Sequence, residues 1–391
     1  MSKKFIFIII GAVILILIIV IAVSSKRRAP APAPTAPPPT PPLTQEERKR
    51  LFPSEEREVP PQATEIAKRL KIEKTLDLKA QAPTAALEGD KIVYFDKKTG
   101  EFYSASTSGT NITPLTQAGL KDVQKIVWSP RKDKAILYFP AEKNTYDLIE
   151  KSQTPLDEHI TVATFSPDGS KILYKYDSDK SHALVQADPD GSNWKKIKDV
   201  GPGNLVIHWY KSDRIAYFSP PSGYSRSTIY TCDLNGKNMK IIASDNYGSN
   251  AKWSPDGSKM IFTTSPKESS SLILRLANGD GSDIRNLQMN TLVEKCTFSS
   301  DSKTLYCAIP EPISARFVLP DDWYDKKVIT SDSFWQIDTE TMERTRIASV
   351  SDIETLYGKT FDASDLFISS DGTRLFFTAR NDGKLYSLIL P

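Results

Sequence analysis

One phrase recurs along the chain and limits what it can fold into. It reads FSPDGSKILYKY from Phe165, WSPDGSKMIFTT from Trp253, FSSDSKTLYCAI from Phe298 and ISSDGTRLFFTA from Ile368. Looser copies are WSPRKDKAILYF from Trp128, WYKSDRIAYFS from Trp209 and AALEGDKIVYF from Ala85. Within each copy an apolar run ends in an aromatic. Ser-Pro-Asp-Gly then makes a tight turn: Pro presets φ, Asp bonds back to the backbone, and Gly accepts positive φ. An alternating strand follows. Turn chemistry accounts for Asp168, Asp256 and Asp371 without catalysis or metal binding.

A second phrase, strand–polar turn–strand, follows most copies, at 104–116, 185–199, 230–244, 275–288 and 334–349. Asp188–Asn193 within it loosely echoes a calcium loop but lacks the spaced donors and the distal Glu. Each unit is therefore four antiparallel strands in roughly 44 residues, the unit of a β-propeller blade. Residues 84–391 accommodate about seven such units, so the fold expected is all-β, a β-propeller of seven four-stranded blades, with six or eight as alternatives.

At this point the chain resembles the WD-like repeats of TolB-type β-propellers, over about 300 residues. The resemblance implies a bacterial protein whose propeller binds proteins or envelope polymers. It departs from that family in two ways. TolB proteins have six such blades and an N-terminal α/β domain; this chain has seven units and a different N-terminus.

That N-terminus reads as a membrane anchor. Phe5–Val23 is FIFIIIGAVILILIIVIAV, uncharged and long enough to cross a ~30 Å hydrocarbon core. A cleaved signal peptide, with Ala22-x-Ser24 as its site, is the rival, but its apolar core would be shorter. The expected organisation is a cytoplasmic tip (1–4), a transmembrane helix (5–23), a Pro-rich linker (24–43), a charged stalk and closing segment (44–83) and the propeller (84–391). Ala29–Pro42 is APAPAPTAPPPTPP, a stiff polyproline II spacer or, alternatively, an SH3- or WW-type ligand. Lys3 and Lys4 oppose Lys26, Arg27 and Arg28, so the positive-inside rule barely decides orientation. With a short head and a long body, the expectation is a single-pass cell-membrane protein, N-terminus cytoplasmic, propeller extracytoplasmic.

Charge excludes other classes. The net charge is only +3, and the first 28 residues hold five basic residues and no acid. The remainder is slightly acidic, which argues against a nucleic-acid partner. No HExxH, GxxxxGK[ST] or CxxC occurs, and no cofactor or metal is expected. Similar propellers cap prolyl-oligopeptidase-type hydrolases, but Gly223-Tyr-Ser225-Arg-Ser227 lacks the last Gly of a nucleophile elbow and lies between two strands. His159, His182 and His208 read as packed or surface residues. No acid pair or His cluster facing the channel stands out, so no catalytic residue is assigned. An enzyme with a central-channel site, or an envelope scaffold, is the alternative to a binding module. Asn111-Ile-Thr113 is a sequon that matters only in a glycosylating compartment.

Two structural details follow from the strand order. A three-stranded last unit leaves an open edge, and Lys74–Ala82 is the obvious strand to close it. Cys296 and Cys307 flank one hairpin turn and are candidates for a disulfide, while Cys232 reads as a buried thiol. The tight turns share one end of the disc, so long loops gather at the other. Function usually sits on such loops. The candidate interaction surface, for a protein or polymer partner, is Tyr224, Tyr247, Phe317, Asp321, Asp322, Trp323, Tyr324 and Tyr357. Trp323 and Tyr324 could instead fold back as a lid.

Overall fold

The computed structural model describes residues 70–87 and 89–391. The expected anchor, the Pro-rich linker and the charged stalk up to residue 69 lie outside the described residues. Among those described, no helix is long and apolar enough to cross a membrane.

Antiparallel four-stranded meanders dominate. In one, Ile160–Phe165 pairs with Ile172–Ser178, which pairs with Ser181–Ala187, which pairs with Lys195–Asp199. The same order fills 80–114, 125–155 and 296–348. Residues 206–286 form one seven-stranded sheet, because the strand Lys240–Trp253 runs unbroken through the point where one unit ends and the next begins. The first strands of neighbouring sheets contact one another, and Ala363–Ile368 of the last meets Ala80–Ala85 of the first. The sheets therefore close into a ring.

The turn chemistry read from the repeat is present. Ser166 Oγ donates to Asp168 Oδ1 at 2.6 Å, the Ser170 N–H donates to the same oxygen at 3.0 Å, and Gly169 has φ +74°. Ser254/Asp256 and Ser369/Asp371 repeat the pattern. In the calcium-like loop, Asp188 accepts from Lys171 and Asn193. These bonds hold each hairpin in register.

The core lies between sheets. One cluster joins Ile136 of one sheet to Ile160, Phe165 and Ile172 of the next; another joins Leu173 and Leu184 to Ile207, Trp209 and Ile215. Each fully buried side chain of this size contributes about 1.5–3 kcal/mol. Trp253 also anchors by its Nε1–H, which donates to Gly279 O at 2.9 Å.

The last sheet is completed from the N-terminal side. Ile72–Leu76 pairs antiparallel with Lys384–Ile389. The closing strand thus ends earlier than the Lys74–Ala82 segment expected, and Ala80–Ala85 already belongs to the first sheet. The apolar pattern explains the choice: Ile72 and Leu76 are buried against the final sheet, whereas Asp77 turns outward to Lys384. Cys296 and Cys307 face each other across the Cys296–Phe298/Thr304–Pro310 ladder and are disulfide-bonded, and Cys232 is a free buried thiol.

Candidate functional site

Hydrogen bonds join the loops at 219–227 and 310–331, and residues of both line a cavity of about 440 Å³. Its wall comes from first strands. Val206 and His208 belong to Val206–Lys211, Asn250 and Lys252 to the second half of Lys240–Trp253, and Asp365 to Ala363–Ile368. Val293 and Glu294 sit on a 3-10 turn ahead of Cys296, and Pro220, Pro221 and Tyr324 come from the loops above.

The cavity concentrates ionisable groups. Glu294 Oε1 accepts from Asn250 Nδ2 at 2.8 Å and from the Tyr324 hydroxyl. Burial pushes the Glu294 carboxyl above the ordinary carboxylate range, against the Tyr324 hydrogen bond and the Lys252 charge. Lys252 donates to Cys296 O at 2.7 Å; burial pushes its ammonium down, while Asp365 and Glu294 oppose that. Burial, reinforced by the charges of Lys252 and Lys125, pushes His208 down to about 4. The imidazole is therefore neutral at pH 7. Its ring lies 5.2 Å from that of Trp253 and 5.9 Å from that of Phe218, and its buried Nε2 has no partner. Asp365 reaches the cavity from a bulge between Ser364 and Phe367, with φ +52°.

A buried ion network begins at the residue after Glu294. Lys295 Nζ lies 2.6 Å from Asp332 Oδ2, 2.7 Å from Asp362 Oδ1 and 2.9 Å from Thr330 Oγ1. Arg380 pairs with the other Asp362 oxygen at 2.9 Å. Because Lys295 is locked, the preceding Glu294 is held in one orientation.

The expected interaction residues divide between surface and framework. Tyr224 is 54% exposed and Tyr324 38% exposed, and Tyr324 alone of the eight lines the cavity. Trp323 does not present an exposed ring. It is 5% exposed, packs with Leu272, Leu292, Leu319 and Val328, and donates through Nε1 to Asp362 Oδ1 at 3.1 Å. The short helix Asp321–Tyr324 folds inward because its Trp finds a partly apolar seat with a buried carboxylate for its N–H. Phe317 packs half-buried on the same cluster, and Asp322 accepts from Val318 N and Lys327 Nζ within its own loop. Asp321 ties this loop to the one at 219–227 through Ser222 and Gly223. Tyr247 lies in an unbroken strand rather than a link, under Arg226. Tyr357 ends the helix Val350–Tyr357, and its hydroxyl accepts from Ile72 N at 2.7 Å.

Lys252, Glu294 and Asp365 escaped the sequence reading and His208 was read only as a packed or surface residue, because no two of the four are close in the chain. A signal existed: His208 and Lys252 hold the same place in the repeat, just before the Trp that opens the phrase. A position repeated in adjacent first strands faces the same axis.

No protein-family model matches the chain, and no curated protein matches it. Solved structures do. An oligogalacturonate lyase in complex with manganese aligns with TM-score 0.57 at 12% identity, over 82% of this chain and 96% of that one. An oligogalacturonate lyase from Vibrio parahaemolyticus aligns with TM-score 0.59 at 11% identity, over 82% and 94%. The β-propeller domain of the trilobed protease from Pyrococcus furiosus aligns with TM-score 0.51 at 13% identity, over 79% and 94%. The fold is a β-propeller. The Pyrococcus propeller is described as having an open velcro topology; in this propeller Ile72–Leu76 completes the last sheet.

Proposed function

We propose that this protein is a single-pass, membrane-anchored propeller of seven TolB-like blades, with Lys240–Trp253 shared between the fourth and fifth. Its N-terminus is cytoplasmic, and its body holds a protein or an envelope polymer outside the cytoplasm without catalysis. Phe5–Val23 supports the anchor, and the Pro-rich run supports a spacer that lifts the disc off the bilayer. The observation that carries the binding reading is this cavity. His208, Asn250 and Lys252 sit on paired strands and Glu294 on a 3-10 turn, and among the described residues the buried His208 Nε2 has no hydrogen-bond partner.

Two experiments test this. Protease added to intact cells stripped of their wall should remove the propeller; full protection overturns the topology. The full-length protein should capture its partner from envelope extract, and Lys252→Ala with Asp365→Asn should abolish capture. Unchanged capture by that variant overturns the cavity as the site.

One observation favours the enzyme reading. A neutral His, a Lys with lowered proton affinity and a Glu with raised affinity share one cavity, as in many catalytic sites. Against it, among the described residues the buried His208 Nε2 has no hydrogen-bond partner and Lys252 is tied to a backbone carbonyl, so neither is set in a proton relay there. Turnover of an oligosaccharide or peptide that is lost in His208→Ala would favour the enzyme.

A further inference from the structure

We propose that the cavity lined by His208, Lys252, Glu294 and Asp365 receives a primary ammonium beside a carbonyl oxygen, the chemistry of a peptide's amino terminus. This rests on the reading that the cavity is the ligand site. The argument starts from hydrogen-bonding positions that the fold leaves open. Glu294 takes both its side-chain donors, Asn250 and Tyr324, on Oε1, and among the described residues no side chain donates to Oε2. Among the described residues, Asp365 receives only the Ser364 hydroxyl, at 3.2 Å. Among the described residues, no Lys, Arg or His forms an ion pair with either carboxylate. Among the described residues, Lys252 is the one cation in the wall, and its hydrogen bond goes to Cys296 O.

The wall thus sets two carboxyl groups against one amine, and a ligand ammonium would favour the ionised form of Glu294. A ligand anion would meet two unpaired carboxylates, whereas an ammonium gains charge-assisted bonds to both. The second half of the ligand follows from the donors. Lys252 has two N–H groups beyond the one on Cys296 O, and His208 Nε2 is buried without a partner. Both suit a neutral oxygen acceptor. A bulge presents Asp365 and the Lys295 network holds Glu294, so the acidic half of the site is built before any ligand arrives. At about 440 Å³ the cavity suits the first residues of a chain rather than a folded surface.

The test is calorimetric titration of the full-length protein with L-alaninamide, N-acetyl-L-alaninamide, propionate and glucosamine. L-Alaninamide should bind and its N-acetyl form should not. Asp365→Asn and Glu294→Gln should each weaken binding about tenfold, the size expected for one charged hydrogen bond. Asn tolerates the positive φ at position 365, so that variant keeps the bulge. No binding of L-alaninamide, or equal binding of the acetylated form, overturns the proposal. So does binding of propionate or of glucosamine alone. In those cases the cavity still stands as the ligand site if Lys252→Ala with Asp365→Asn abolishes partner capture. If capture is also unchanged, both readings fall.

Discussion

The Asp321 carboxylate accepts the Gly223 backbone N–H at 2.6 Å, joining two loops 98 positions apart in sequence. Its other oxygen takes the Ser222 hydroxyl at 2.8 Å. Gly223 is required by close approach: a Cβ there would lie 2.6 Å from Val318 Cγ1 and 2.7 Å from Leu319 O. The latch sets the height of Tyr324 over the cavity. Gly223→Ala should therefore cost about 1–3 kcal/mol by overpacking and speed amide exchange across 310–331. An unchanged melt with unchanged exchange would show that the loops are held independently.

Trp323 belongs to the framework, which reverses what an exposed aromatic would predict. The Arg380 guanidinium lies 3.9 Å from its ring centroid and donates to its carbonyl at 2.6 Å. Trp323→Ala should cost about 3–5 kcal/mol and lower the melting temperature. Tyr324→Phe keeps the ring and loses only the hydroxyl on Glu294, so it should leave the melt within about 1 kcal/mol. Equal melts for wild type and Trp323→Ala would refute the buried role.

Ring closure depends on few residues. Ile72 and Leu76 supply the buried face of the closing strand, Glu73 pairs with Arg374 at 2.7 Å, and Tyr357 receives the Ile72 N–H. Deleting 72–76 removes these contacts and exposes the edge at Lys384–Ile389. The loss of two buried aliphatic side chains and their ladder should lower the melting temperature by on the order of 10 °C. A melt within a degree or two of wild type would mean that another segment closes the sheet.

The repeat was legible because its determinants are local. Ser166, Asp168 and Gly169 fix a hairpin within five residues, and buried Phe165 and Ile172 mark its inner face. The need for a closing strand was legible from the count of strands after Leu366. Its register was not, because both Ile72–Leu76 and Ala80–Ala85 alternate acceptably and only packing on the last sheet distinguishes them. The cavity was the least legible feature. It takes one to three residues from each of several strands and loops, and the charge on Glu294 or Asp365 looks like solvated surface until the ring brings them together. Trp323 was left between an exposed contact and a folded-back lid for a related reason. Its burial depends on Asp362 and Arg380, which sequence distance hides.

The acid response of the fold is set partly by His208. Its folded pKa of about 4 lies below the ordinary value of 6.5. The unfolded chain therefore takes up a proton, as pH falls through that interval, that the folded chain refuses. The neutral ring's contribution is complete above pH 6.5 and is lost progressively down to about pH 4, by at most about 3 kcal/mol. Glu294 acts in the opposite sense. Its carboxyl is held above the ordinary 4.5, so its protonation on acidification favours the folded state and offsets part of the loss. Lys252, Lys125 and Asp365 supply the remaining charges around the two groups. Urea unfolding of wild type, His208→Gln and Glu294→Gln at intervals from pH 7.5 to 4 separates these contributions. His208→Gln should flatten the decline, and Glu294→Gln should steepen its acid end. A His208→Gln curve that runs parallel to wild type over the whole interval would show that the imidazole titrates freely in the folded protein.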